Sequence, residues 1–555
     1  MRRITIFLSL ILCIQLGARQ PVRARHGMVV AQEPIAADAG LQVLKNGGNA
    51  VDAAVAVGFA LAVTHPFAGN IGGGGFMLIR LANGQSTFID FRERAPEKAS
   101  HDMYLDGNGR PTRDSIEGWR APGVPGSVRG FELALRKYGH KKWSEVMQPA
   151  VDLASKGFPL SYSTAESLKN AKNLSKYADS KRIFQRDGKY YDADEIFKQP
   201  ELAATLERIQ KNGAKEFYEG ETAKKLADAM AKNGGLITLS DLKNMTAVER
   251  KPLVGQYKGY EIITSPPPSS GGVGLLQITG MLEGTGYEKS GAGSAAAIHM
   301  VAETMRRYYA DRNEYLGDPD FIKNPIAGLL DPLYLQKRRA TIDPNHASPS
   351  NEINPGHPKG SEGTETTHFS VVDADGNAVA VTYTLNGGYG SGVTAPGLGF
   401  LLNNEMDDFA AKPGEPNMFN LVQGEANSIA PGKRPLSSMT PTIILKDGKL
   451  FMTVGAPGGS RIITSVTEVV LNVIDFGMNA QDAVDFPRFH HQWKPDKLYL
   501  ERAISPDTVA ILKAKGHDVD YSQGAIGARV EAIVIDGGWI QGGTDGRGTG
   551  KAVGY

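Results

Sequence analysis

The feature that most constrains this chain is an abrupt boundary at Thr366. Upstream, residues 340–365 hold Pro344, Pro349, Pro355, Pro358, Gly356, Gly360 and Gly363, with no alternation and no helical spacing, the pattern of a long exposed loop. Downstream, Phe369-Ser370-Val371-Val372 is followed by Asp373-Ala374-Asp375-Gly376-Asn377 and then Ala378-Val379-Ala380-Val381-Thr382-Tyr383-Thr384. That order reads as strand, Asp-Gly turn, strand: a β-hairpin that opens on two threonines. A loop that ends at a strand-initial threonine is where a cut would leave that threonine as a new N-terminus. A Thr hydroxyl is a poor nucleophile unless a base takes its proton. A free α-amine, with a pKa of roughly 7.7–8.0, is such a base on the same residue, and an internal threonine lacks it. Without a cut, the same pattern is an ordinary loop meeting a hairpin, and the local pattern leaves both readings open.

The 555 residues are too many for one simple core and predict two to four domains or one large elaborate one. A net charge of +1 and the lack of a basic stripe argue against a nucleic-acid partner. The N-terminus reads as a targeting segment. Arg2-Arg3 precedes an apolar run from Ile4 to Leu16, and Gly17-Ala18 or Val22-Arg23-Ala24 offers small residues for cleavage. This predicts a signal peptide over residues 1–24, cut near 18–24, and export to a bacterial periplasm or medium. An uncleaved segment acting as an anchor is the alternative. The sole cysteine, Cys13, lies in this run after Leu12, which is not the small residue of a lipid-attachment site, so the mature protein would hold no thiol.

Along the chain, residues 34–66 read as two helices. The second is strongly apolar but short, carries Asp52, and is capped by Asn49. Residues 76–91 read as two strands around Asn83-Gly84, residues 128–137 and 143–155 as helices, and residues 165–233 as several helical segments. Residues 260–264 form a strand stopped by Pro266-Pro267-Pro268. Ile298, Val301, Met305 and Tyr308 share one face of a helix over residues 294–309. From Thr366 to about Val454 the pattern is strand-dominated, then helical over residues 462–475. Helices first, strands later and helices again predict a layered α/β protein with a central strand sandwich.

Several longer motifs now bear a family resemblance. Thr366-Thr367-His368-Phe369-Ser370-Val371-Val372-Asp373 resembles the self-processing site of the γ-glutamyltranspeptidases, and Pro435-Leu436-Ser437-Ser438-Met439 and Pro457-Gly458-Gly459-Ser460-Arg461 resemble two further signatures of that family. Asp90-Phe91-Arg92-Glu93, Asn403-Asn404-Glu405-Met406-Asp407-Asp408-Phe409 and Phe489-His490-His491-Gln492-Trp493 match as well, and the likeness runs from about His26 to Tyr555. The resemblance implies a four-layer αββα sandwich of the N-terminal-nucleophile hydrolases, built jointly by two subunits cut from one precursor between Glu365 and Thr366. These are a large subunit (25–365) and a small one (366–555). It implies a γ-glutamyltransferase and glutathione hydrolase. Thr366 would cleave the γ-glutamyl amide through an ester acyl-enzyme, then pass the acyl group to water or to an amino acid or dipeptide acceptor. By motif, Thr384 supports the nucleophile, and Gly458 and Gly459 offer N–H groups to the oxyanion. Arg92, Ser437 and Ser438 hold the substrate's α-carboxylate, and Glu405, Asp408 and Asn386 hold its ammonium. No cofactor and no metal is called for. Residues 413–421 resemble a lid, where the position often held by Tyr is here Phe419. It cannot hydrogen-bond to Asn386, which predicts a looser lid and a larger hydrolysis share.

The same residues also admit plainer readings. Gly72–Gly75 lack the Lys-Ser/Thr of a phosphate loop and suit close backbone packing. His490-His491 would point to opposite faces of a strand, which argues against one metal. The alternatives are a cephalosporin or glutaryl acylase of the same superfamily, disfavoured by two carboxylates set for an ammonium, and a processing-dead binder of γ-glutamyl peptides, disfavoured by the intact catalytic set.

Overall fold

The structure, a computed structural model, describes residues 19–356, 367–521, 526 and 528–555. The expectations on Glu365, on Thr366 and on the leader up to residue 18 lie outside the described residues.

The helices named here are α1 (Pro34–Lys45), α2 (Ala50–Thr64), α3 (Ser127–Tyr138), α4 (Gly271–Leu282), α5 (Ala295–Tyr315) and α6 (Arg461–Ile474). Every residue of α2 is buried, so its uniform apolarity marks a central helix rather than a membrane span. Its one charge is used at its start. Asn49 Oδ1 accepts from the N–H groups of Val51 and Asp52, and the Asp52 carboxylate accepts from Asn49, His140 and Lys141 N–H groups. Among the described residues no helix is long and apolar enough to cross a membrane. The amphipathic face expected on α5 is present, yet the opposite face is buried too. Arg306 and Arg307 there pair with Glu303, and Arg307 donates to the Arg338 and Thr341 carbonyls of the chain that covers it.

The strands of the two main sheets are β1 (Val22–Ala24), β2 (Met28–Ala31), β3 (Gly74–Arg80), β4 (Ser86–Asp90), β5 (Val248–Arg250), β6 (Leu253–Tyr257), β7 (Tyr260–Thr264), β8 (Thr367–Val372), β9 (Ala378–Thr384), β10 (Thr442–Lys446), β11 (Lys449–Gly455), β12 (Glu531–Asp536), β13 (Trp539–Thr544) and β14 (Lys551–Gly554). They pair antiparallel in two seven-stranded sheets, β1-β13-β12-β11-β10-β7-β6 and β14-β2-β8-β9-β3-β4-β5. The hairpin expected downstream of Thr366 is β8–β9, with Val372 opposite Ala378.

The sheets face one another across a core of Met28, Val30, Phe76, Leu78 and Phe88 against Ile263, Ile443, Leu445, Ile533 and Ile540. The alternate residues turn outward onto helices. Val29, Met77, Ile79, Val379 and Val381 pack in the core that holds α1, α2 and α3. Ile262, Ile444, Met452, Val454 and Val534 pack in the core that holds α4, α5 and α6. The order helix, sheet, sheet, helix is the expected αββα sandwich. Both faces of each sheet are covered, and so the strands read as apolar runs rather than alternating ones.

One feature departs from the expectation drawn from the sequence. The strand-dominated region is interrupted: between Thr384 and Thr442 the chain leaves the sheets and runs as loops and short turns, with left-handed backbone at Asn386, Tyr389 and Asn420. Its density of Asn, Gly and Pro suits turns, and it carries Asn386, Glu405, Asp408 and Phe419. As expected of a sandwich built jointly by both parts, the chain before 357 and the chain after 366 each supply strands to both sheets. They therefore share their cores and are not separate domains.

Of the two candidate leader cuts, one after Ala24 would remove β1, whose Val22 and Ala24 pair with Gly542 and Ile540, and one after Ala18 would keep it. A chain beginning at Arg25 is expected to melt a few degrees below one beginning at Arg19, reflecting the loss of a few backbone hydrogen bonds at about 0.5–1.5 kcal/mol each. Calorimetry of the two chains checks this, and equal midpoints would show that β1 contributes nothing.

Candidate active site

Arg92 follows the end of β4 and is fully buried. Its N–H donates to Asp90 Oδ1 at 3.0 Å and its Nε to the Pro435 carbonyl at 3.2 Å. Asp90 itself is tied to Arg250 at 2.7 Å, so the segment is held from both sides. The Arg92 guanidinium bonds to Glu405 and to Asp408, with Glu93 at 3.7 Å. Glu405–Asp408 form one short helical turn, which places both carboxylates on one guanidinium. The family resemblance implies that Arg92 and the two carboxylates grip opposite groups of a substrate; here they are in contact with each other. Glu405 Oε2, Asn386 Oδ1 and Ser438 Oγ are buried around them with no hydrogen-bond partner among the described residues. Two acceptors and one hydroxyl are thus left open at a charged cluster, the polar complement of a small zwitterion.

The two serines differ. Ser437 Oγ accepts from the Met439 N–H at 3.2 Å and its carbonyl accepts from the Ser270 N–H at 2.8 Å, so it shapes the turn. The Ser438 hydroxyl is the open one.

Thr384 closes β9. Its Oγ1 accepts from the Asn386 N–H at 2.7 Å, and its carbonyl accepts from Asn70 Nδ2 at 2.8 Å. The hairpin register stops at Thr367 with Tyr383, one residue short of Thr366 on one strand and of Thr384 on the other. Behind it, a Cβ at Gly73 would stand 1.9 Å from the Thr384 carbonyl, so the glycine run packs backbone against backbone as expected. Asn386 is left-handed, with φ 73°, and its Nδ2 donates to the Asn404 carbonyl at 3.0 Å.

Gly458 and Gly459 lie between β11 and α6 with φ of 132° and 68°. A Cβ at Gly458 would meet the Ala528 Cα at 2.6 Å. Backbone N–H groups at the N-terminus of a long helix suit an anionic oxygen. The turn is held from outside: Ser460 Oγ donates to Gln492 Oε1 at 2.7 Å, and His490 Nε2 lies 2.8 Å from the same oxygen. His491 turns elsewhere, to Asp496 at 3.3 Å, an acidic partner the sequence reading did not foresee. Burial pushes His490 down to about 3 and His491 to about 4, so both are neutral supports. In the lid segment, Met418 Sδ lies 3.7 Å from Asn404 Nδ2 and 4.0 Å from Asn386 Nδ2. The Phe419 ring packs instead on the core beneath α5 and α6.

The family model described as Gamma-glutamyltranspeptidase matches residues 36–555. The chain belongs to the γ-glutamyltranspeptidase family. It is 51% identical over 530 residues to the glutathione hydrolase proenzyme of Escherichia coli strain K12, covering 95% of this chain and 91% of that one. The cephalosporin acylase of Bacillus halodurans superposes with a TM-score of 0.87 at 25% identity, over 99% of both chains. The γ-glutamyltranspeptidase of Helicobacter pylori superposes with a TM-score of 0.58 at 45% identity, over 62% of this chain and 97% of that one.

Glu93, to which the transpeptidase-family motif assigns no role, also belongs to the Arg92 cluster. It is fully buried and its oxygens have no donor among the described residues. Burial, reinforced by Glu405 and opposed by Arg92, raises it well above the ordinary carboxyl range, so it keeps its proton. Burial also raises Glu405, while the Arg92 charge pulls the other way. For Arg92, burial works to lower it, but Glu405, Asp408 and Glu93 together outweigh burial and raise it, keeping it charged. In the unfolded chain Glu93 would ionise near 4.5. Above that pH the folded state holds the extra proton, so stability falls as pH rises toward the folded value, by about 1.4 kcal/mol per unit at most. Glu93→Gln keeps a donor and does not titrate. Its melting midpoint is expected to gain on that of the unaltered protein as pH is raised from 5 to 8, and parallel curves would refute the protonated Glu93.

Proposed function

We propose that this protein is a self-processing γ-glutamyltransferase and glutathione hydrolase in which Thr366, freed by cleavage after Glu365, is the nucleophile. The observation that carries the reading is the buried Arg92–Glu405–Asp408 cluster with the open Glu405 Oε2, Asn386 Oδ1 and Ser438 Oγ beside it. A γ-glutamyl group ends in an α-carboxylate and an α-ammonium. In this reading it enters the cluster as a zwitterion, its carboxylate taken by Arg92 and Ser438 and its ammonium by Glu405, Asp408 and Asn386. The Thr366 hydroxyl attacks the γ-carbonyl while its own amine accepts the proton. Gly458 and Gly459 N–H groups receive the oxyanion, and the amine returns the proton to the leaving nitrogen. Water or an acceptor amine then attacks the ester and frees Thr366. Thr384, whose hydroxyl is already fixed on the Asn386 N–H, steadies the nucleophile.

Two further points support the reading. The E. coli relative is named a proenzyme. The H. pylori chain matches over 97% of its own length yet covers 62% of this one, as one subunit of a cut precursor would. The fold is equally that of a cephalosporin acylase, but an acyl group lacking an α-amine would leave Glu405 and Asp408 without a cation beyond Arg92. Export from the cytoplasm is proposed from the leader pattern, which places the activity where extracellular glutathione is broken down.

The purified protein is expected to run as two fragments, the smaller starting Thr-Thr-His-Phe-Ser, and to release glutamate from glutathione. Thr366→Ala should stay whole and release none. An unaltered protein found uncut and inert would sink the proposal. Glu405→Gln should lower kcat/KM for glutathione by at least about 10²-fold, because it removes one member of a buried charge pair; a loss below threefold would remove Glu405 from ammonium binding. Phe419→Tyr should leave the ratio of transfer to hydrolysis unchanged, because the ring packs on the core and Met418 reaches the Asn386 amide; a raised ratio in a product assay would return the lid role to residue 419.

A further inference from the structure

The loop over residues 414–423, which contains most of the lid segment, is held at two points by side chains that also serve the proposed site. It is closed on itself: the Gly414 N–H donates to the Gln423 carbonyl at 2.9 Å and the Asn417 N–H to the Leu421 carbonyl at 3.1 Å. At one point the Met418 N–H donates to Asp407 Oδ2 at 3.1 Å, and Asp407 Oδ1 accepts from the Ser115 hydroxyl at 2.8 Å. Asp407 is the neighbour in sequence of Asp408, a member of the Arg92 cluster. At the other point Gln492 Nε2 donates to the Asn420 carbonyl at 3.1 Å, with the Phe419 carbonyl at 3.4 Å. The loop thus reaches from the Arg92 cluster to the side chain that braces the glycine turn.

Gln492 is buried, and its neighbours decide which end of its amide is which. One end faces the carbonyls of Phe419, Asn420 and Lys494, which can only accept, so that end is the NH₂. The other end is the oxygen, and it accepts from the Ser460 hydroxyl at 2.7 Å and from His490 Nε2 at 2.8 Å. His490 is fixed in turn by Thr464 Oγ1, 2.9 Å from its Nδ1. Ser460 follows Gly459, and its carbonyl accepts from the Tyr309 hydroxyl. One amide therefore carries the glycine turn on its acceptor and the loop on its donors. If the loop carbonyls leave, the buried NH₂ either stays unmet, which is costly, or the amide rotates toward another acceptor. Rotation takes the oxygen away from Ser460.

We propose that Gln492 is a positioning residue that ties the oxyanion turn to the seated loop, so that Thr366 is acylated efficiently only while residues 414–423 are in place. The inference rests on the reading of Thr366, Gly458 and Gly459 given above. With the loop seated, the amide holds the Ser460 hydroxyl, and the adjacent Gly458 and Gly459 N–H groups stay aimed where the oxyanion forms. Such donors stabilise a developing charge because they need no reorganisation during the reaction. With the loop lifted, the brace is lost and the turn must be reset in each turnover. Gln492 acts through Ser460 and is not itself a catalytic residue. A covered site and a formed oxyanion hole are in this way one event rather than two.

The test uses the cleaved form of each protein with γ-glutamyl-p-nitroanilide as donor. Gln492→Met keeps the side chain's length and drops both sets of hydrogen bonds. It is expected to lower kcat/KM at least tenfold, while the inhibition constant of L-norvaline, a zwitterion with no γ-oxygen, moves less than threefold. Ser460→Ala cuts the turn from the amide and leaves the loop untouched. It should lower kcat/KM at least threefold and speed hydrogen exchange over residues 414–423, followed by mass spectrometry, at least threefold. The double variant should lose no more than Gln492→Met alone, because the serine acts through the glutamine. Unchanged exchange in Ser460→Ala, losses that multiply in the double variant, or a norvaline constant that rises in step with the loss of kcat/KM would each overturn the coupling. Where Gln492→Met does not fold, the smaller change Ser460→Ala decides by itself. If the unaltered protein releases no p-nitroaniline, the nucleophile reading falls and takes this proposal with it. If it does release p-nitroaniline and both variants match it, only the coupling falls.

Discussion

Both sheets are covered on both faces, and everything polar in the site follows from that constraint. A strand whose alternate residues enter two apolar cores has no lateral surface on which to place a charge. Only the strand ends are open, and the candidate residues gather at one end of the sandwich. Arg92 follows the end of β4, Thr384 closes β9 and Gly458 follows β11, beside the start of β12 at Glu531. In antiparallel sheets these ends are neighbours by register: Thr384 stands opposite Gly74, two residues from the Phe76 that faces Asp90, and Gly455 stands opposite Glu531. The long excursion between Thr384 and Thr442 then folds over that end and delivers Glu405, Asp408 and Ser438 from outside the sheets.

The electrostatics at this end are costly for stability. One buried guanidinium meets three buried carboxyl groups, and such clusters seldom add net stability because each charge has lost its water. A proton on Glu93 lowers the charge excess, and the remaining open atoms are those a zwitterion would satisfy. The cluster is best understood as a binding device held rigid by its surroundings, with Asp90, Arg250 and the Pro435 carbonyl fixing the arginine before any ligand arrives.

Much of this was legible in the chain. The capped apolar helix after Asn49, the hairpin after Thr366 and the strand over residues 260–264 each carried a local signal that tertiary contacts did not override. Motif likeness reached Arg92, Thr384, Glu405, Asp408, Ser437, Ser438 and the glycine pair without geometry. What escaped was pairing over long sequence distance. Nothing local says that Arg92 and Glu405 touch, that Glu93 keeps a proton, that Gln492 braces the glycine turn through Ser460, or that Met418 rather than Phe419 reaches the Asn386 amide. The irregular chain over residues 385–441 was misjudged as strand-rich because it lies between true hairpins.

The sequence by itself determined where the helices and hairpins form, because capping, turn chemistry and apolar periodicity act within a few residues. It also determined the family, because several long motifs occur in order. Tertiary structure alone decided which charges neutralise one another, which serine hydroxyl is left open, and that Gln492 joins the glycine turn to the lid segment. The reason is physical: hydrogen bonding and desolvation depend on which groups are brought within a few ångströms inside a low-dielectric interior, and that is set by sheet register and by a loop returning across the strand ends.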